Sequence, residues 1–153
     1  MAKDLLVEKS IVINLPVQEV YSFLKYATNQ NHFSVWNQKD PNRKTVNTGE
    51  DGTIGFITAW DSKDKSVGAG AQEITDLIEN ERIEYVIRFE RPMKNTAVSK
   101  FVLDDLGDNK TQVSWDFRGP TKFPMSLFKG IFQKMLGKDM GQSLSFLKQH
   151  LEI

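Results

Sequence analysis

The sequence predicts an α+β fold, with a curved antiparallel sheet of about seven strands wrapped around a long C-terminal helix. Two short helices are expected between the first two strands. Three observations carry this expectation. Period-two alternation of apolar and polar residues recurs in separate runs between residues 43 and 118. The turns between those runs are too short for parallel crossovers, which need about a dozen residues or more. From about residue 125 to 151 the apolar spacing becomes helical.

Residues 5–14 are β-rich, with Val7, Ile11 and Ile13 on one face. Leu15-Pro16 breaks that strand, and Pro16 suits a helix start, where its missing N–H costs nothing. Val17, Val20, Tyr21 and Leu24 then recur at helical spacing. A second short helix or turn carries His32, Phe33 and Trp36 after the polar Asn29-Gln30-Asn31. Residues 43–48 read as a weak strand, and 53–61 as a better one with Ile54, Phe56, Thr58 and Trp60 on one side. Residues 71–79 follow Gly68-Ala69-Gly70 as the next strand. In 82–90, Ile83, Tyr85, Ile87 and Phe89 oppose Glu84, Arg88 and Glu90, and Pro92 ends the run. Residues 96–104 align Ala97, Ser99, Phe101 and Leu103; a tight turn over 106–110 leads to 111–118, with Val113, Trp115 and Phe117 on one face. Gly119-Pro120 and Pro124 precede the final helix. Its main stripe is Phe132, Leu136, Met140, Leu144, Leu147 and Leu151, and Phe128, Ile131 and Met135 are expected to widen that face.

The chain has 153 residues, enough for a single domain over 1–153 that buries its own core. It has no cysteine, which excludes disulfides, thiolate nucleophiles and cysteine-held metals. Twenty basic residues balance twenty acidic ones. Without a basic excess there is little to displace counterions from phosphates, so nucleic acid is not an expected partner. No apolar run approaches the ~20 residues that span a bilayer. The N-terminal residues lack the pattern of a signal peptide. The expectation is a cytoplasmic protein with no integral membrane segment, and no feature sets an oligomeric state.

A set of short motifs runs through nearly the whole chain. It opens with Ser10-Ile11-Val12-Ile13-Asn14-Leu15-Pro16, then Val20-Tyr21 and Leu24, then Trp36. Gly68-Ala69-Gly70, Glu79-Asn80-Glu81-Arg82-Ile83 and Phe89-x-x-Pro92 follow. Gly107-x-x-Lys110-Thr111-x-Val113-x-Trp115 and a Pro-led terminal helix complete it. In order and spacing these motifs resemble the START-like (SRPBCC) superfamily and, within it, the polyketide cyclase/dehydrase-type branch. One departure is that Asn37-Gln38-Lys39-Asp40 separates Trp36 from Pro41, where the family often has proline sooner. The resemblance implies a helix-grip fold with a deep cavity between sheet and long helix. Superfamily members bind lipids, sterols, polyketides, plant hormones or isoprenoid quinones. Some close polyketide rings, some hold metal-centred oxygenase sites, and a related branch stimulates a chaperone ATPase. The expected function is therefore binding of a small apolar molecule, lipid, polyketide or isoprenoid-like. The alternatives are a cyclase that works by positioning its substrate and a protein-interaction module of the chaperone-stimulating type. The fold alone does not choose among these.

The expected ligand-binding residues are Trp36, Trp60, Tyr85, Phe89, Phe101, Trp115, Phe128, Phe132 and Leu136. An aromatic-lined cavity gains roughly 25 cal/mol for each Å² of apolar surface it hides. Any one of these side chains taken alone is more readily explained by core packing, and the set together favours a cavity. Glu73, Tyr85, Ser99 and Thr111 are the polar residues considered for inward strand faces, with Glu73 expected on the solvated side because buried unpaired carboxylates are rare. His32 is assigned a capping or surface role, and His150 a place at the C-terminal end of the helix dipole. Asp104-Asp105 and Asp108 read as turn formers, so neither a metal nor another cofactor is expected. Gly68-Ala69-Gly70 lacks the context of a phosphate loop and reads as a turn. Gly130, Gly137 and Gly141 share a helix stripe with no evident reason. The lysines of 122–138 are expected along an outer helix edge. No catalytic constellation is recognisable, so an enzyme is not the expected reading.

Overall fold

Ten residues of extended chain, β1 (Asp4–Ile13), begin the architecture and set one edge of its sheet. The computed structural model describes residues 4–91, 93–121 and 125–153. Pro16 caps α1 (Val17–Leu24), whose Val17, Val20, Tyr21 and Leu24 are buried. A 3-10 helix (Ala27–His32) and the short α2 (Val35–Lys39) follow. The chain then runs through β2 (Lys44–Thr48), β3 (Ile57–Asp61), β4 (Ala69–Ile78), β5 (Arg82–Arg91), β6 (Asn95–Gly107) and β7 (Lys110–Pro120). A 3-10 turn (Met125–Phe128) leads into α3 (Lys129–Leu151).

All seven strands form one antiparallel sheet in the order β1-β7-β6-β5-β4-β3-β2. Successive strands from β2 to β7 are neighbours, and β1 closes against the last of them. Asp108 and Asn109 at the β6–β7 turn have φ of 52° and 58°. Two left-handed residues make a primed turn, whose twist matches that of the flanking strands.

The inward face carries the core. Ile83 and Tyr85 of β5, Phe101 and Leu103 of β6, and Val113 and Trp115 of β7 are buried there. Met140, Leu144 and Leu147 of α3 pack against this face, together with Val20, Leu24 and Phe33. The opposite face is polar, with Arg88 paired to Glu73 at 2.9 Å and Lys100 to Asp116 at 3.5 Å. Alternation of this kind is what one solvated sheet face produces. The long helix also follows the β1 edge. The Leu6 N–H donates to Gln133 Oε1 at 3.2 Å, and Lys148 Nζ donates to the Val12 carbonyl at 2.7 Å. A Cβ on Gly137 would come within 3.0 Å of Lys9 Cε and 3.4 Å of Val7 Cγ1, so this glycine permits the close approach. Open space surrounds Gly130 and Gly141, and nothing in the structure explains them.

Two expectations need correction. β3 begins at Ile57 rather than 53, because Gly49, Gly52 and Gly55 take φ of 89°, 80° and 98° and turn the chain repeatedly. Ile54 is consequently 60% exposed instead of sharing a face with Trp60. The α-helix begins at Lys129, with a 3-10 turn before it. Phe128, Ile131 and Met135 are 50%, 60% and 59% exposed and do not widen the inward face. At helical spacing Ile131 falls nearly opposite Leu147. Pro92, Pro124, Lys122 and Phe123 lie outside the described residues.

Candidate functional site

Between the β2–β5 side of the sheet, α2 and the first half of α3 lies a cavity of about 270 Å³. Its sheet wall is aromatic, formed by Trp60 of β3, Phe89 of β5, and Trp115 and Phe117 of β7. Trp36 of α2 and Leu136 and Met140 of α3 face them. Polar side chains of Asn31, Asn37, Arg43, Thr45 and Asn47 supply another stretch of the lining.

The wall is held by backbone geometry as much as by packing. Trp60 pairs with Gly70 across β3 and β4. A Cβ on Gly70 would stand 2.5 Å from the Arg88 carbonyl oxygen and 2.9 Å from the Trp60 ring. Only glycine lets the indole lie down at this point. Gly68, by contrast, is there for its turn, with φ of 66°. The Trp60 Nε1–H donates to the Val67 carbonyl at 3.1 Å. The Trp115 Nε1–H donates to Ser99 Oγ at 3.0 Å, and that hydroxyl donates to the Asp116 carbonyl at 2.6 Å. With both indole N–H groups satisfied, the rings offer apolar surface to the cavity. Edge contacts at 6.1 Å between Trp60 and Phe89 and 6.3 Å between Trp36 and Trp115 fix their mutual orientation.

Of the residues expected at a site, Trp36, Trp60, Phe89, Trp115 and Leu136 border this cavity. Tyr85 and Phe101 do not; they lie in the core, where Phe101 stacks on Trp115 at 5.0 Å. Phe132 is partly buried and Phe128 half-exposed, and neither borders the cavity. Glu73 is on the outer face with Arg88, while its neighbour Gln72 turns inward and lines the cavity. Thr111 faces inward but donates to the Leu15 carbonyl at 2.8 Å. His32 stacks on His150 at 4.7 Å, and neither ring borders the cavity. Sequence reasoning passed over Gln72, Arg43 and the threonines and asparagines of β2 and β3. Gln72 had a signal, since it is two residues from the buried Ile74 on a strand.

The part of the lining formed by Ala27 and Thr28 is braced by Asp51. Its carboxylate accepts from the N–H groups of Ala27 at 2.8 Å and Thr28 at 3.2 Å, and from the Thr28 hydroxyl at 2.6 Å. These charge-assisted bonds tie the β2–β3 loop to the 3-10 helix. Among the described lining residues the ionisable side chains are two arginines, Arg43 and Arg91. Burial lowers the Arg43 guanidinium from its usual value, and the charge of Asp40 offsets part of that shift. Among the described residues, no hydrogen-bond partner stands within bonding geometry of the buried Tyr85 hydroxyl. Burial raises its pKa well above the ordinary phenol value, partly countered by the nearby Gln30 side chain. Among the described residues no group of three or more His, Asp or Glu side chains is arranged to hold a metal. No described helix is long and apolar enough to cross a membrane.

Residues 4–152 match the model of a family described as polyketide cyclase / dehydrase and lipid transport. No curated protein matches the chain. Several solved structures share its fold. A protein from Chromobacterium violaceum is 17% identical with a TM-score of 0.69, over 97% of this chain and 98% of that one. The Aha1 dimer from Colwellia psychrerythraea is 16% identical with a TM-score of 0.65, over 97% and 96%. Norcoclaurine synthase from Thalictrum flavum, in complex with dopamine and hydroxybenzaldehyde, is 8% identical with a TM-score of 0.71, over 97% and 88%.

Proposed function

Because the chain belongs to the polyketide cyclase / dehydrase and lipid transport family, we propose that it binds a small, largely apolar molecule between its sheet and α3. The observation that carries this reading is the aromatic cavity of about 270 Å³. That volume is close to the lower end of ligand sites, which run from roughly 300 Å³ upward. A sheet wall of indole and phenyl rings, faced by Trp36, Leu136 and Met140, favours a flat or flexible apolar guest, and the guest gains by leaving water.

Binding is favoured over proton-transfer chemistry by the lining itself. General acids and bases work best with pKa values near the working pH. The ionisable side chains that border the cavity among the described residues are arginines, which stay protonated. Tyr85, the polar group closest in kind to a catalytic acid, sits in the core and not on the cavity surface. A member of this family that catalysed a reaction here would have to do so by holding its substrate in one conformation.

Native mass spectrometry of the purified protein, together with titration by the neutral dye N-phenyl-1-naphthylamine, tests the reading. The expected result is saturable dye binding with one site, weakened about tenfold or more by Trp60→Ala. A protein that carries no adduct and leaves the dye dark at all concentrations would end the proposal.

A further inference from the structure

We propose that the cavity takes an amphipathic acid, an apolar body carrying one carboxylate, with Arg43 as the residue that reads the carboxylate. The inference rests on the binding reading above and names the class of its ligand. Arg43 stands between α2 and β2 and lines the cavity. Its Nη1 donates to the carbonyls of Asn37 at 2.9 Å and Asp40 at 3.1 Å, and its Nη2 donates to Asn31 Oδ1 at 2.6 Å. Every one of these acceptors is neutral. No carboxylate comes within ion-pair distance of Arg43 among the described residues. Asp40, the nearest acid in sequence, turns its carboxylate to the Ser62 hydroxyl at 2.6 Å and the Asn42 N–H at 3.2 Å.

Arg91, the other arginine of the lining, is different. It is paired with Asp61 and also donates to the Ser62 carbonyl. Its charge is met by a carboxylate in direct contact, whereas among the described residues Arg43 has only the more distant charge of Asp40. The Arg43 guanidinium is only partly exposed, and that burial disfavours its charge. The carbonyls and amide around it orient the guanidinium without neutralising it.

The donor count points to the shape of the missing partner. The three bonds occupy both Nη1–H groups and one Nη2–H. The other Nη2–H and the Nε–H have no protein acceptor among the described residues. Donors on adjacent guanidinium nitrogens match the two oxygens of a carboxylate. Thr45 and Asn47, which follow Arg43 in the chain and also line the cavity, add uncharged hydrogen-bonding groups beside it. Trp60, Phe89 and Trp115 supply the apolar end. The cavity is thus cationic in one part and aromatic in another.

Displacement of N-phenyl-1-naphthylamine by decanoate and by decanol, compounds that differ at the head group, tests this at pH 8. Decanoate should displace the dye at about tenfold lower concentration than decanol, the scale of a charge-assisted hydrogen bond. Arg43→Met should abolish that preference, read as the ratio of the decanoate and decanol midpoints within the same variant, and Arg43→Lys should retain part of it. Retained dye binding shows that the variants are folded. Equal displacement by both compounds in the parent protein, or a preference that survives in Arg43→Met, overturns the inference and leaves the binding reading standing. A parent protein that binds neither dye nor decanoate overturns both.

Discussion

Tyr85 places a hydroxyl in the core with no hydrogen-bonded partner among the described residues, on the same strand face that supplies Phe89 to the cavity wall. Leaving a buried donor unmade costs about 1–3 kcal/mol. Tyr85→Phe should therefore be neutral or stabilising by about 1 kcal/mol in urea denaturation at pH 7. Alkali gives a second readout. The folded pKa of Tyr85 lies above the unfolded value of about 10. The unfolded chain then loses its proton first, so this contribution to stability is whole below about pH 10 and is lost as pH rises through the folded value. Stability should fall less steeply between pH 9.5 and 11 in Tyr85→Phe than in the parent; identical slopes would contradict the assignment. Gly70 gives the opposite case. Its missing side chain is required by a carbonyl 2.5 Å from where a Cβ would stand, and backbone does not yield as a flexible side chain does. Gly70→Ala should cost about 1–3 kcal/mol and weaken dye binding, because Trp60 must move as well.

The helix α3 divides into two parts with different duties. Its second half buries Met140, Leu144 and Leu147, whereas its first half leaves Ile131 and Met135 in solvent. Leu144→Ala should cost about 2–5 kcal/mol, and Ile131→Lys should change stability by no more than ~0.5 kcal/mol. Thermal melts of the two variants check the contrast. The same division shows what was legible in the sequence. The alternation of β5, β6 and β7 was plain because one face is wet and the other dry. The start of β3 was hidden by Gly52 and Gly55, which interrupt an apolar run without altering its spacing. Ile131 was misassigned because apolar residues cover both sides of that turn, and only packing decides which side is turned inward. The aromatic site residues were visible as a set. Their separation into wall (Trp60, Phe89) and core (Tyr85, Phe101) depends on how far α2 and α3 stand from the sheet, which no local pattern encodes. Arg43 was missed because an arginine in a weak, polar strand looks like surface until its neighbours are known.

At the scale of the molecule, the sheet has a filled end and a hollow one. α3 lies along β1 and α1 against β6 and β7, while β2 to β5, with Trp115 and Phe117 of β7, bound the cavity. A guest that binds only the folded form adds RT ln(1 + [L]/Kd) to stability, about 2.7 kcal/mol at a hundredfold excess over Kd. For a chain of this length that raises the melting midpoint by roughly 5–10 °C. Differential scanning fluorimetry with saturating decanoate should show such a shift, and a midpoint that stays put would count against the cavity as a binding site.

The sheet's outermost ribbon on its hollow side is β2, five residues that are all exposed and that pair with β3 alone. Few contacts hold its backbone amides, so it belongs to the part of the molecule that opens most cheaply. Deuterium should enter residues 44–48 well before it reaches the middle of β6 and β7. If that ribbon is also the doorway, an occupied interior will slow its labelling while leaving the middle of those two strands untouched.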